Sequence, residues 1–159
     1  MDWINFINRL RKYPKGMHIL LPPCPDEEIK NVQAVLGKMP DPLTRMLRHF
    51  NGAQLFCTGL PLVSIFGLSV AMPDKPMEWC KEWSIDKFTP KWRAFPLSNH
   101  EWAFAMNNYG GLLVVDLVGM TAEWDTSERR WLGHKMSFED RFEQLIQEGD
   151  ICLRELGES

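Results

Sequence analysis

The residues best equipped for chemistry in this 159-residue chain are its four cysteines and four histidines. Cys24, Cys57, Cys80 and Cys152 stand far apart, and so do the histidines. No C-x-x-C pair and no H-x-x-x-H step places two ligands on one metal ion. The cysteines read instead as small core hydrophobes, kept reduced in a cytoplasmic setting. A nucleophilic set can be drawn on paper from Cys57 or Cys80, His100 or His134, and Asp116. None of these sits in the strand-to-helix turn that exposes a nucleophile. Asp116 closes the apolar run LLVVD ahead of Val118-Gly119, and reads as a turn residue accepting backbone hydrogen bonds.

Carboxylates pair at Glu27-Glu28, Glu78 with Glu82, and Glu139-Asp140. The first and last pairs fall at expected helix starts, where the positive end of the helix dipole accounts for them. Glu78 and Glu82 lie four apart and flank Lys81 on a solvated face. The chain therefore nominates no catalytic residue, no metal ligand and no cofactor, and is read as a non-enzyme.

Tryptophan is the residue type in excess, with seven in the chain. Trp102, Trp124 and Trp131 fall in strand-like patterns and are expected to pack. Trp79, Trp83 and Trp92 lie in a segment broken by Pro73, Pro76, Pro90 and Pro96, where a regular core face is harder to draw. Aromatic residues on irregular segments are favoured interface anchors, so these three are the candidate partner-binding residues. The alternative is a lid packed over the core.

The elements that must position these residues follow from composition and periodicity. At 18.5 kDa, with 45% hydrophobic and 25% charged residues, residues 1–159 fit a single domain with one core. A net charge of −3 and a pI near 5.8 argue against a protein that displaces counterions from nucleic acid, and suit a basic partner better. The N-terminus has no apolar leader region, and no run is long enough to span a bilayer, so a cytoplasmic protein without membrane contact is expected.

Trp3, Phe6, Ile7 and Leu10 form an i, i+3, i+4, i+7 stripe, with Asp2 placed to cap it. MHILLPP is a short apolar segment ended by Pro22-Pro23. A second helix is expected from about Pro25, with Ile29, Val32, Val35 and Leu36 on its apolar face and Gly37 as its stop. Asp41-Pro42 reads as cap and first helical residue of a third helix, with Leu43, Met46, Leu47 and Phe50 as its stripe. Asn51-Gly52 then reads as a left-handed stop.

Beyond Gly52 the period shortens. AQLFCT and LPLVSIFGL read as strands either side of Thr58-Gly59. Within the proline-broken segment, Met77, Trp79, Cys80 and Trp83 suit a short helix. RAFPLS, a half-buried EWAFAMN and a central LLVVDL read as further strands. MTAEWD and RRWLGHK form a hairpin that brings Trp124 opposite Trp131. Ser137 with Asp140 opens a last helix carrying Phe138, Phe142, Leu145 and Ile146, open to disturbance at Gly149. The order predicts an α+β fold: one largely antiparallel sheet of about five or six strands, with N-terminal helices and a C-terminal helix against it.

Several of these features together resemble the SUKH superfamily, specifically its SMI/KNR group. The acidic helix start appears as Glu27-Glu28-Ile29, the leucine-glycine as Leu36-Gly37, and the leucine-proline step as Met39-Pro40. The apolar helix runs from Leu43 to Phe50 and ends at Asn51-Gly52. Downstream, LLVVDLVG with Asp116 and Gly119, AEWD, and Ser137-Phe138-Glu139 are similar to the family's strand, turn and last-helix opening. The resemblance extends from about Pro25 to Ile146, departing at Met39 and in the Trp-rich insert.

It implies an α+β fold, and a non-enzymatic protein-binding role: for bacterial members, an immunity protein that neutralises a toxin, often a nuclease. A regulatory or scaffold domain recognising a cellular protein or peptide is the alternative. A small Cys/His-dependent hydrolase is the third reading. A protein partner, and no direct contact with nucleic acid, is the expectation.

Overall fold

The computed structural model describes residues 1–72 and 83–157. Helix α1 (Trp3–Leu10) begins where the Asp2 carboxylate accepts the Asn5 N–H at 3.0 Å, and it buries Trp3, Phe6 and Leu10. A two-residue strand, β1 (Ile19–Leu20), follows. Helix α2 (Asp26–Leu36) buries Ile29 and Val32 and half-buries Leu36. Val35, expected on the same face, is 81% exposed. At about 100° per residue it lies roughly 60° outside the arc that Ile29, Val32 and Leu36 span, and α2 touches the domain along a narrow stripe.

Helix α3 (Asp41–His49) starts one residue sooner than expected. Pro40 holds the extended position before it, so Asp41 is the first helical residue and its side chain caps nothing. Leu43, Met46 and Leu47 are buried as expected, and Phe50 is buried just beyond the helix.

The end of α3 corrects a second expectation. Phe50 leaves the helix extended, at φ −156° and ψ 139°, so Gly52, left-handed as expected at φ +94°, falls beyond the helix end, and Asn51-Gly52 is a clamp rather than its stop. The buried Asn51 amide accepts the Leu68 N–H at 2.7 Å and donates to the Leu68 carbonyl at 3.1 Å. A Cβ on Gly67 would stand 2.2 Å from the Asn51 carbonyl oxygen, and one on Gly52 would stand 2.8 Å from that of Ile65. Two backbone segments thus cross where no side chain fits between them.

Among the described residues the sheet has seven strands, more than the five or six expected because the short β1 also pairs, in chain order and each antiparallel to the next. After β1 come β2 (Ala53–Thr58), β3 (Leu60–Ile65), β4 (Trp102–Asn107), β5 (Gly111–Val115), β6 (Met120–Asp125) and β7 (Arg130–Ser137). Between β3 and β4 the chain makes a 3-10 turn (Ser69–Ala71) and helix α4 (Ile85–Arg93). Central β5 is buried along its whole length, as expected.

Strand β4 is buried at Trp102, Ala103, Phe104 and Ala105 alike, so its half-buried alternation is not realised. Phe104 packs on Phe138 and Phe142, while Trp102 lies under the Arg93 guanidinium and donates its indole N–H to Lys38. RAFPLS is not a strand. The N–H groups of Phe95 and Leu97 both meet the Trp92 carbonyl, which folds the segment into a turn around Pro96.

Helix α5 (Phe138–Glu155) opens with the Ser137 hydroxyl accepting the Asp140 N–H at 3.1 Å, and runs unbroken through Gly149. The ring of Phe56 occupies the place of the missing side chain, since a Cβ on Gly149 would stand 2.1 Å from it. Phe56 has φ +56° at the point where the β2–β3 pairing skips a residue. The centre of the core is aromatic: Trp3, Phe6, Phe50, Phe104, Phe138 and Phe142 meet edge-on, tilted or stacked, with ring centroids 4.9 to 6.5 Å apart.

Candidate partner-binding surface

Helix α4 carries Trp92 and begins two residues after Trp83, two of the three tryptophans singled out above. It forms although Pro90 removes the N–H that would meet the Asp86 carbonyl. Three tertiary anchors offset that loss. Asp86 accepts both the backbone N–H and the hydroxyl of Ser69. The Thr89 hydroxyl accepts the Ala103 N–H at 3.1 Å, standing in for a strand partner where β3 has already left β4. Arg93 stacks 4.7 Å over Trp102 and donates to the Leu36 carbonyl at 2.7 Å, satisfying an end of α2.

Two runs of aromatic rings meet at the C-terminal end of α4. The first is Trp83, Phe88 and Trp92, with centroids 6.0 and 5.9 Å apart. Trp83 is 48% exposed, whereas Trp92 packs against the core and its indole N–H is buried with no partner among the described residues. The second run is Phe95, Trp124 and Trp131, at 5.5 and 5.0 Å. Trp124 and Trp131 are the cross-strand pair expected of the hairpin. Trp124 is buried, but Phe95 is 56% and Trp131 41% exposed, and Arg129 lies 5.3 Å over the Phe95 ring.

The Trp92–Phe95 turn joins the two runs. Beside the second, Pro96, Trp131, Leu132 and Gly133 line a groove of about 450 Å³ with Lys135 and Glu101 in its walls. Trp79, the remaining tryptophan of the three, lies outside the described residues, as do Met77 and Cys80 of the short helix expected there.

The positions that could have carried nucleophilic chemistry are spread out. Cys57 on β2 and His134 on β7 are five strand spacings apart, roughly 24 Å at about 4.8 Å each. Burial raises the Cys57 thiol above its usual range, and pushes Cys24 to about 12, so neither is a ready thiolate. His100 and His134 are exposed. Asp116 accepts the N–H groups of Val118 and Met120 at 3.1 and 3.0 Å, the turn role read from the sequence, and Gly119 follows at φ +88°. Cys80 lies outside the described residues. Among those residues no three His, Cys, Asp or Glu side chains group to hold a metal ion, and no helix is long and apolar enough to cross a membrane.

Sequence reading missed the polar contacts between the end of α1 and α5. Arg9 pairs with Glu143, and the Tyr13 hydroxyl donates to Asp150. Partners this far apart in the chain leave no local spacing to read. Arg141, buried in α5, was missed for the same reason: it donates to the Thr121 hydroxyl and to Gln144, each at 2.9 Å. Compared with known protein families and with curated proteins, the chain matches no family model and no curated sequence.

Proposed function

We propose that this chain is a non-catalytic protein-binding domain of the SMI/KNR type, serving as an immunity protein that binds and neutralises a cognate toxin, with a nuclease as the favoured class. The observation that carries this reading is the pair of linked aromatic runs whose ends, Trp83 on one side and Phe95 with Trp131 on the other, stand in solvent. Interfaces draw their affinity from a few aromatic and arginine anchors ringed by polar groups, and Phe95 beneath Arg129 has that composition. Two further points support it. The antiparallel α+β architecture is the one the family resemblance implies. The acidic balance of −3 suits a basic partner such as a nucleic-acid-cutting enzyme.

The test is pull-down and activity inhibition with the toxin encoded beside the gene. Binding with loss of toxin activity is expected, and the Phe95→Ala/Trp131→Ala double variant should weaken it by on the order of 100-fold. A folded protein that neither binds nor inhibits that toxin sinks the immunity reading. Capture of a host protein instead would move the assignment to a regulatory domain.

A further inference from the structure

A second concave site lies away from the aromatic runs, where α1 ends and the chain turns toward β1. It has a volume of about 440 Å³, within the range of small-molecule clefts. Ile7, Leu10 and Leu20 make its apolar wall, and the rings of Tyr13 and His18 close it. Arg11 and Lys15, both exposed, also line it, and none of its lining residues is a carboxylate.

The charge here is local. The first eighteen residues hold four cations (Arg9, Arg11, Lys12, Lys15) against one acid (Asp2), a net of +3 in a chain of −3, which leaves −6 on the rest. Of the acids that α5 brings alongside, Glu143 is paired with Arg9, while Asp150 accepts the neutral Tyr13 hydroxyl, which does not cancel its charge, so Arg11 and Lys15 act beside one remaining carboxylate.

His18 supplies a second, independent observation. Its Nδ1 accepts the Phe56 N–H at 3.1 Å, so in the neutral ring the proton sits on Nε2. Burial favours that neutral form, pushing the ring down to about 4. The Nε2–H donor is itself buried and has no hydrogen-bond partner among the described residues. The His18 ring lines the cleft, and a ligand acceptor that reached this nitrogen would give it the partner it lacks.

We propose that this cleft is a binding site for a small amphipathic anion, an apolar body carrying one acidic head. The body lies on Ile7, Leu10 and Leu20, and the head sits between Arg11 and Lys15 within reach of the His18 ring. The site is separate from the aromatic surface, and its occupancy does not depend on the identity of any protein partner.

The experiment is a pair of amide-shift titrations of the full chain, one with 4-phenylbutyrate and one with its neutral amide, 4-phenylbutyramide. The acid is expected to shift resonances within residues 7–20 saturably and to bind at least about tenfold more tightly than the amide. The Arg11→Glu/Lys15→Glu variant, altered only at exposed positions, should lose that preference while its unfolding midpoint stays near that of the parent. Equal binding of acid and amide, shifts centred elsewhere, no saturable shift with the acid, or a preference that survives the charge reversal would each overturn the proposal. Toxin binding by the same variant, expected unchanged, separates this result from failure of the protein-binding reading.

Discussion

The molecule holds two aromatic assemblies built from the same residue types and differing in closure. Trp3, Phe6, Phe50, Phe104, Phe138 and Phe142 are sealed between α1, α3, α5 and the sheet, none more than 4% exposed. Trp83, Phe88, Trp92, Phe95, Trp124 and Trp131 lie along α4 and the β6–β7 hairpin with several rings open to water. The sealed cluster draws its rings from α1, the end of α3, β4 and α5, and is explained by packing. The open one leaves Trp83, Phe95 and Trp131 in solvent, and on the function proposed above a protein partner covers them. Ring content alone does not separate core from interface; the elements standing behind the rings do.

Substitutions can break or sharpen that contrast. Phe142→Ala should cost about 3–5 kcal/mol in chemical denaturation, because it empties a site touched by Trp3, Phe6, Phe104 and Phe138. Phe95→Ala should cost under about 1 kcal/mol, and a larger loss would move Phe95 into the structural set. The sealed side should also resist enlargement. Gly149→Ala must displace the Phe56 ring and is expected to cost about 1–3 kcal/mol, read as a lowered unfolding midpoint.

A pH-dependent effect concerns His18, which packs edge-on against Tyr13 and Phe56. Its folded value of about 4 lies below its ordinary 6.5, so between those values the unfolded chain binds the proton and the folded chain does not. Stability should therefore fall as pH drops from about 6.5 to about 4, and His18→Gln should remove that part of the slope. A slope unchanged in the variant would place the ring in solvent.

What could be read from the sequence was whatever repeats locally. The stripes of α1 and α3, the buried run of β5, the Trp124–Trp131 pair, and the Asp2 and Ser137 caps each depend on neighbours a few residues away. What was misread depends on distant partners. Pro90 argues locally against a helix, and α4 stands because Ser69, Ala103 and Leu36 hold it. Asn51-Gly52 has the composition of a helix stop, and its clamp role is set by Leu68 and Gly67. Of the candidate surface, the proline-broken tryptophans were visible as an excess of rings. Phe95 and Trp131 were not, because a turn and a hairpin bring them together across 36 residues of chain, from 95 to 131.

The seat of Phe56 on Gly149 carries a consequence for motion. Helices in responsive proteins often transmit signals by sliding or ratcheting along a neighbour. Shifting α5 by one residue would advance it about 1.5 Å and turn it about 100°, removing from beneath the ring the position that lacks a side chain. The ring acts as a detent, and α5 behaves as a fixed post bearing on the sheet.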